Sequence, residues 1–221
     1  MAVAIFVIIL IGLCVRWIDR PFSTWSATHL HAYREWFDAL THIVDPFLPL
    51  SALAILAAIA ARLAGRNLVG PWRSILIAGM ALAVAVMMKD QGKYLFGRLW
   101  PETWVENNPS WIGTGSYGFF PLHGGRGWAS FPSGHMTVIT APATTLSCSF
   151  PRLRPLLILA CAAVAVGLLG ADYHFLSDVI AGTGLGVLCG WVVLSHTFAA
   201  PTASICPDTP PADADRRDHA N

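Results

Sequence analysis

An all-α fold, a six-helix bundle that spans a membrane, follows from three features of the sequence. Of 221 residues, 55% are hydrophobic and only 12% are charged, against roughly 25% charged in ordinary soluble domains. Six apolar stretches, at about residues 1–18, 47–63, 74–90, 134–150, 155–172 and 175–197, each approach the roughly 20 residues that a helix needs to cross about 30 Å of hydrocarbon. Basic residues gather in short connections: Arg62, Arg66 and Arg73 flank the second and third stretches, and Arg152 and Arg154 separate the fourth and fifth.

Continuous apolar runs in lipid must satisfy their own backbone hydrogen bonds, which makes each of them a helix. The first run has neither a basic n-region nor an A-x-A-like cleavage site, so it reads as a retained helix and not as a signal peptide. The runs leave no room for a separate soluble unit. Residues 1–198 therefore form one membrane domain, and residues 199–221, rich in Pro, Asp and Ala, form a disordered tail.

The positive-inside rule places the arginine-bearing connections, and with them the tail, in the cytoplasm. Residues 19–46, 91–133 and 171–174 then face outside. Arg16, Arg20 and Arg34 fall on the outer side, against the rule. Leu30, Tyr33, Phe37, Leu40 and Val44 recur at helical spacing between Ser26 and Val44, which suits a helix lying in the interface.

A formal net charge of +1 leaves no footprint for nucleic acid. Cys14, Cys148, Cys161, Cys189 and Cys206 show no paired or zinc-type spacing, so neither a disulfide framework nor a metal site is expected. The loop of about 40 residues after the third helix exceeds the length at which loops are usually structureless connectors and is a functional candidate. Its Trp100, Trp104, Trp111 and Trp128 suit an interfacial aromatic belt. Gly113 to Gly118 formally match GxGxxG, but no strand precedes them and no βαβ unit surrounds them.

Ionisable residues at membrane depth are costly and point to function. They gather at three helix ends: Lys93 and Arg98 past the third, Ser133, Gly134 and His135 opening the fourth, His174 and Asp178 opening the sixth. Helix parity puts all of them on the outer side. Lys93 and Arg98 offer positive charge, and an arginine fork can grip two phosphate oxygens. Ser133 and Gly134 stand where free N–H groups and the helix dipole favour an anion. His174 and Asp178, four residues apart, share a helix face, so the carboxylate can fix the tautomer and leave the other ring nitrogen to attack. His135 can then protonate the departing oxygen. His29, His31, His42, His123, His196 and His219 have no such company and read as surface residues.

These residues resemble the type-2 phosphatidic acid phosphatase and haloperoxidase superfamily. Lys93-Tyr-Leu-Phe-Gly-Arg98-Leu-Trp100-Pro101 is similar to its first motif, Pro132-Ser133-Gly134-His135 to its second, and His174-Phe-Leu-Ser-Asp178 to the end of its third; together they cover about residues 89–190. The resemblance implies a membrane phosphatase of the bacterial inner membrane, facing the periplasm and working without metal or cofactor. His174 would be the nucleophile, Asp178 its orienter and His135 the acid, with Lys93, Ser133 and Gly134 on the phosphate. Two positions depart from the family: Trp100 replaces an arginine, and Gly167-Leu168 replaces a serine-arginine pair. Arg98 and Arg126 are the candidates to replace the lost cations. The expected substrate is a lipid phosphate or diphosphate. Transfer to an acceptor other than water, and a catalytically impaired lipid-binding protein, are the competing functions.

Overall fold

The computed structural model describes residues 2–104 and 107–198, and the tail beyond them lies outside the described residues. Among these residues the regular structure is helical, with only isolated bridges between extended residues. The helices that carry the fold are α1 (Ala2–Leu13), α2 (Asp19–His29), α3 (Arg34–Thr41), α4 (Phe47–Leu63), α5 (Pro71–Phe96), α6 (Trp111–Thr114), α7 (Gly134–Ser149), α8 (Arg154–Gly170) and α9 (Leu176–Phe198).

All six apolar stretches are helical, but their lengths and roles differ from expectation. The first does not stop near residue 18: a π-helical segment, Cys14–Ile18, joins α1 to α2, giving 28 continuous residues from Ala2 to His29. Among the described residues, five segments are long and apolar enough to cross a membrane. The remaining stretch, α7, has 16 residues and lies packed between α5 and α9, where neighbouring protein rather than lipid covers most of it. The interfacial segment is also not one helix. Ser26–His29 ends α2, and the chain restarts through 3₁₀ turns on either side of α3.

Small residues set the central packing. Gly182, Gly186 and Gly190 repeat every four residues on α9, and a Cβ on each would lie 2.4 Å from the Ser133 carbonyl oxygen, 1.9 Å from Thr140 Oγ1 and 2.7 Å from the Ala141 carbonyl oxygen. Such small-xxx-small stripes let helix backbones approach closely in membranes. α3 closes on α8 in the same way: a Cβ on Gly167 would lie 2.6 Å from the Phe37 carbonyl oxygen, and one on Gly170 2.4 Å from the Phe37 ring. Leu168 is wholly buried in an apolar cluster with Val44, Met136, Ile139, Val164 and Val179.

The bundle has two distinct ends. Arg73 donates to the Thr197 carbonyl at 3.3 Å and Arg154 to the Ser147 carbonyl at 2.9 Å, so the basic connections share one end with the C-terminus of α9. The loop after α5, the start of α7 and the 171–175 turn meet at the other.

Candidate active site

The site is built around the end of α5. Gly97 caps that helix in the left-handed conformation, with φ 54° and ψ 54°, and a Cβ there would fall 1.8 Å from the Phe120 carbonyl oxygen. Glycine alone meets both demands. The cap turns residues 98–133 back over the bundle, where Arg98 bridges to Phe119 and Ala129 and Trp100 to Ser110. The long loop is therefore a packed lid whose turns hold side chains in place.

Lys93, one turn before the cap, donates from Nζ to the Ala129 carbonyl and stands 5.4 Å from the Trp100 ring centre. Ser133 is the N-cap of α7 with extended backbone, φ −61° and ψ 120°, and its N–H donates to the Asp178 carbonyl at 3.0 Å. Its Oγ is buried and bonded to nothing within the protein. A buried hydroxyl without a partner is uncommon, and here it adjoins the N–H groups that open α7. Gly134 follows, with Lys89 Cδ 3.3 Å from where its Cβ would be.

His174 precedes α9 rather than lying on it, because the helix begins at Leu176. Asp178 reaches back over that first turn. Its Oδ2 accepts the Phe175 N–H at 3.0 Å and the Ser130 hydroxyl at 2.7 Å, and stands 3.5 Å from His174 Nδ1. Nδ1 faces the carboxylate, so Nε2 is the nitrogen left for chemistry. Complete burial holds the His174 pKa below that of an ordinary imidazole, with the hydrogen bond and charge of Asp178 partly opposing it. The ring is neutral near pH 7 and keeps its lone pair. Its centre lies 6.4 Å from that of His135 and 5.1 Å from Trp100.

These groups line one cleft of about 760 Å³, shared by Lys89, Lys93, Trp100, Arg126, Gly134, His135 and His174. Val44, Leu48, Val86 and Val138 also line it, as do Asp38, His42, Asp45 and Tyr173. Arg126 sits exposed at the rim, held by its own carbonyl, which accepts from Trp100 Nε1 at 2.7 Å.

The structure brings together His174, His135, Asp178, Lys93, Ser133, Gly134 and Arg126, and corrects the placement of Arg98. Arg98 is wholly buried behind Asp178. Nη1 donates to Asp178 and the Ser177 hydroxyl, Nη2 to Asp19 at 2.7 Å and Tyr117 Oη at 2.9 Å. A guanidinium tied to two carboxylates away from the cleft cannot take the place of the arginine lost at Trp100. Trp100 packs on His174, and Trp104 on Tyr173, with ring centres 4.3 Å apart in the second pair.

Sequence reasoning missed Lys89, Ser130, Asp19 and the cleft role of His42. Lys89 carried a signal, since it precedes Lys93 by four residues and shares its helix face. His42 bonds Asp45 at 2.7 Å and carried none.

Comparisons with known proteins bear on the fold and the family. The fold resembles the crystal structure of a transmembrane PAP2-type phosphatidylglycerolphosphate phosphatase from Bacillus subtilis, with a TM-score of 0.61 and 19% identity, covering 90% of this chain and 96% of that one. A lipid A 1-phosphatase from Rhizobium etli is 35% identical over 80 residues, which are 36% of this chain. The match spans only a third of that relative's length, 33%. The profile of the PAP2 superfamily matches residues 74–201, more than half of the sequence and all three motifs, and the chain belongs to that superfamily.

Proposed function

We propose that this protein hydrolyses a lipid phosphate or diphosphate at the outer leaflet of a bacterial inner membrane, through a phosphohistidine and without metal. The observation that carries the reading is the convergence of His174, His135, Lys93 and the start of α7 in one cleft that Val44, Leu48, Val86 and Val138 also line. A phosphate at these groups leaves its acyl or prenyl chains beside Val44, Leu48, Val86 and Val138.

In the first step His174 Nε2 bonds to phosphorus as the bond from phosphorus to the lipid oxygen breaks. The negative charge of the bound phosphate favours a proton on the neighbouring His135, and the imidazolium so formed gives that oxygen its proton. The His174 ring becomes cationic, and Asp178 stabilises it through Nδ1–H, as carboxylates do in hydrolase triads. Lys93, the Ser133 hydroxyl and the α7 N–H groups receive the equatorial oxygens. Water then attacks phosphorus and passes a proton to His135, the P–N bond breaks, and inorganic phosphate leaves with His174 restored.

The basic connections at the opposite end support the periplasmic orientation, by the positive-inside rule. The relatives described above support the substrate class, since both are phosphatases named for lipid phosphates. The test is phosphate release from a panel comprising phosphatidate, phosphatidylglycerophosphate, an isoprenyl diphosphate and lipid A, in the presence of EDTA. Release from at least one of them, abolished by His174→Ala, is expected. A folded protein inert on the whole panel, or fully active as His174→Ala, contradicts the reading.

A further inference from the structure

Arg98, which pairs with Asp178, has a second carboxylate partner that lies outside the family-matched region. Asp19, at the junction of the π-helical segment and α2, is wholly buried. Its Oδ2 accepts Arg98 Nη2 at 2.7 Å and the Ser177 hydroxyl, and its Oδ1 accepts the Ser177 N–H at 3.0 Å. Tyr117 Oη accepts from Arg98 and donates to the Val15 carbonyl at 2.7 Å, fixing the segment that presents Asp19. π-segments recur at functional sites.

We infer that Asp19 is a positioning residue for the reaction: it holds Arg98 and Ser177 in place behind Asp178 and thereby sets how strongly Asp178 supports charge on His174. The first helix is then a working part of the catalytic machinery and not only an anchor. This rests on the phosphohistidine reading above.

Charge accounting gives the reason. One arginine lies between two carboxylates, all three side chains wholly buried, so the cluster carries one unit of negative charge in excess. A low-dielectric surrounding magnifies that excess. It is complemented when His174 acquires positive charge on phosphorylation. Without Asp19, Arg98 neutralises Asp178 alone and the support is lost. The other charged and titratable groups facing His174 are Lys93 from α5, His135 from α7 and Arg98 itself, and none of them is anionic.

The test compares Asp19→Asn with wild type in the full-length protein. Outer-shell partners elsewhere cost about 10- to 100-fold when removed, and a loss of that size in kcat is expected with KM within about twofold. The acid limb of kcat/KM moves to lower pH, because His174 loses anionic support. Tyr117→Phe, which removes hydrogen bonds but no charge, leaves that limb in place. If folded Asp19→Asn matches wild type in kcat and in acid limb while His174→Ala is inactive, the inference is wrong and the phosphohistidine reading survives; if His174→Ala is active, that reading falls first. Should Asp19→Asn not fold, Ser177→Ala decides: it removes the hydroxyl shared by Asp19 and Arg98, and a kcat equal to wild type overturns the proposal.

Discussion

Gly182→Ala tests whether the α7–α9 contact sets the catalytic geometry. A Cβ at 182 would lie 2.4 Å from the Ser133 carbonyl oxygen and 3.1 Å from the Cβ atoms of Ser133 and Met136, whereas ordinary contact begins near 3.4 Å. The carbonyl must therefore retreat by about 1 Å (3.4 − 2.4). It cannot swing aside, because it accepts both the N–H of Thr137, at 3.1 Å, and its hydroxyl, at 2.8 Å. The start of α7 has to move as a unit, carrying Ser133 from its 3.0 Å bond to the Asp178 carbonyl and His135 from His174. A misplacement of about 1 Å can cost about 10² in rate, while overpacking costs about 1–3 kcal/mol of stability. Initial rates of phosphate release in detergent micelles, normalised to folded protein, measure the effect. Gly184→Ala is the control, since its Cβ would meet only Val7 Cγ1 at 3.5 Å, and its rate stays within about twofold. A well-folded Gly182→Ala with a wild-type rate would refute the proposed coupling of packing to geometry.

Other expectations concern charge. Arg126→Ala and Lys89→Ala each raise KM or lower kcat by about 10-fold or more if these cleft cations replace the lost arginines, by analogy with single oxyanion donors; full activity in both, read by phosphate release, sinks that assignment. Arg98→Ala leaves Asp19 and Asp178 facing each other without a counter-ion, and breaking a buried pair costs about 3–5 kcal/mol, so thermal unfolding in detergent shows a large loss of stability. Burial raises the pKa of Asp172 to about 7, with the nearby Ser26 hydroxyl and the charge of Arg34 partly opposing it. The native state then holds a proton that the unfolded chain has already lost, so this group's contribution is present at low pH and is lost as pH rises toward and through 7. Asp172→Asn also suits the left-handed φ of 54°, and its melting temperature exceeds that of wild type at pH 8 more than at pH 5.

Much of this architecture was legible because membranes impose strict rules. Apolar run length located α1, α4, α5, α7, α8 and α9, and parity brought His135, His174 and Lys93 to one end. The failures share a cause: long-range packing leaves little local trace. Arg98 sits two residues beyond a helix end, which suggests exposure, yet the Gly97 cap turns it into the core toward Asp19, 79 residues away in sequence. Asp19 itself stands in an ordinary polar stretch with no motif. The loss of the second family arginine becomes intelligible only when α3 is seen pressed against Gly167 and Gly170, with Leu168 filling the apolar core beneath.

The central claim is a covalent intermediate on His174, and rapid quench with a radiolabelled lipid phosphate tests it most directly. The account predicts an acid-labile, base-stable label on the peptide that carries His174, appearing before free phosphate and absent from His174→Ala. Label on another residue, or undiminished hydrolysis by His174→Ala, would contradict it.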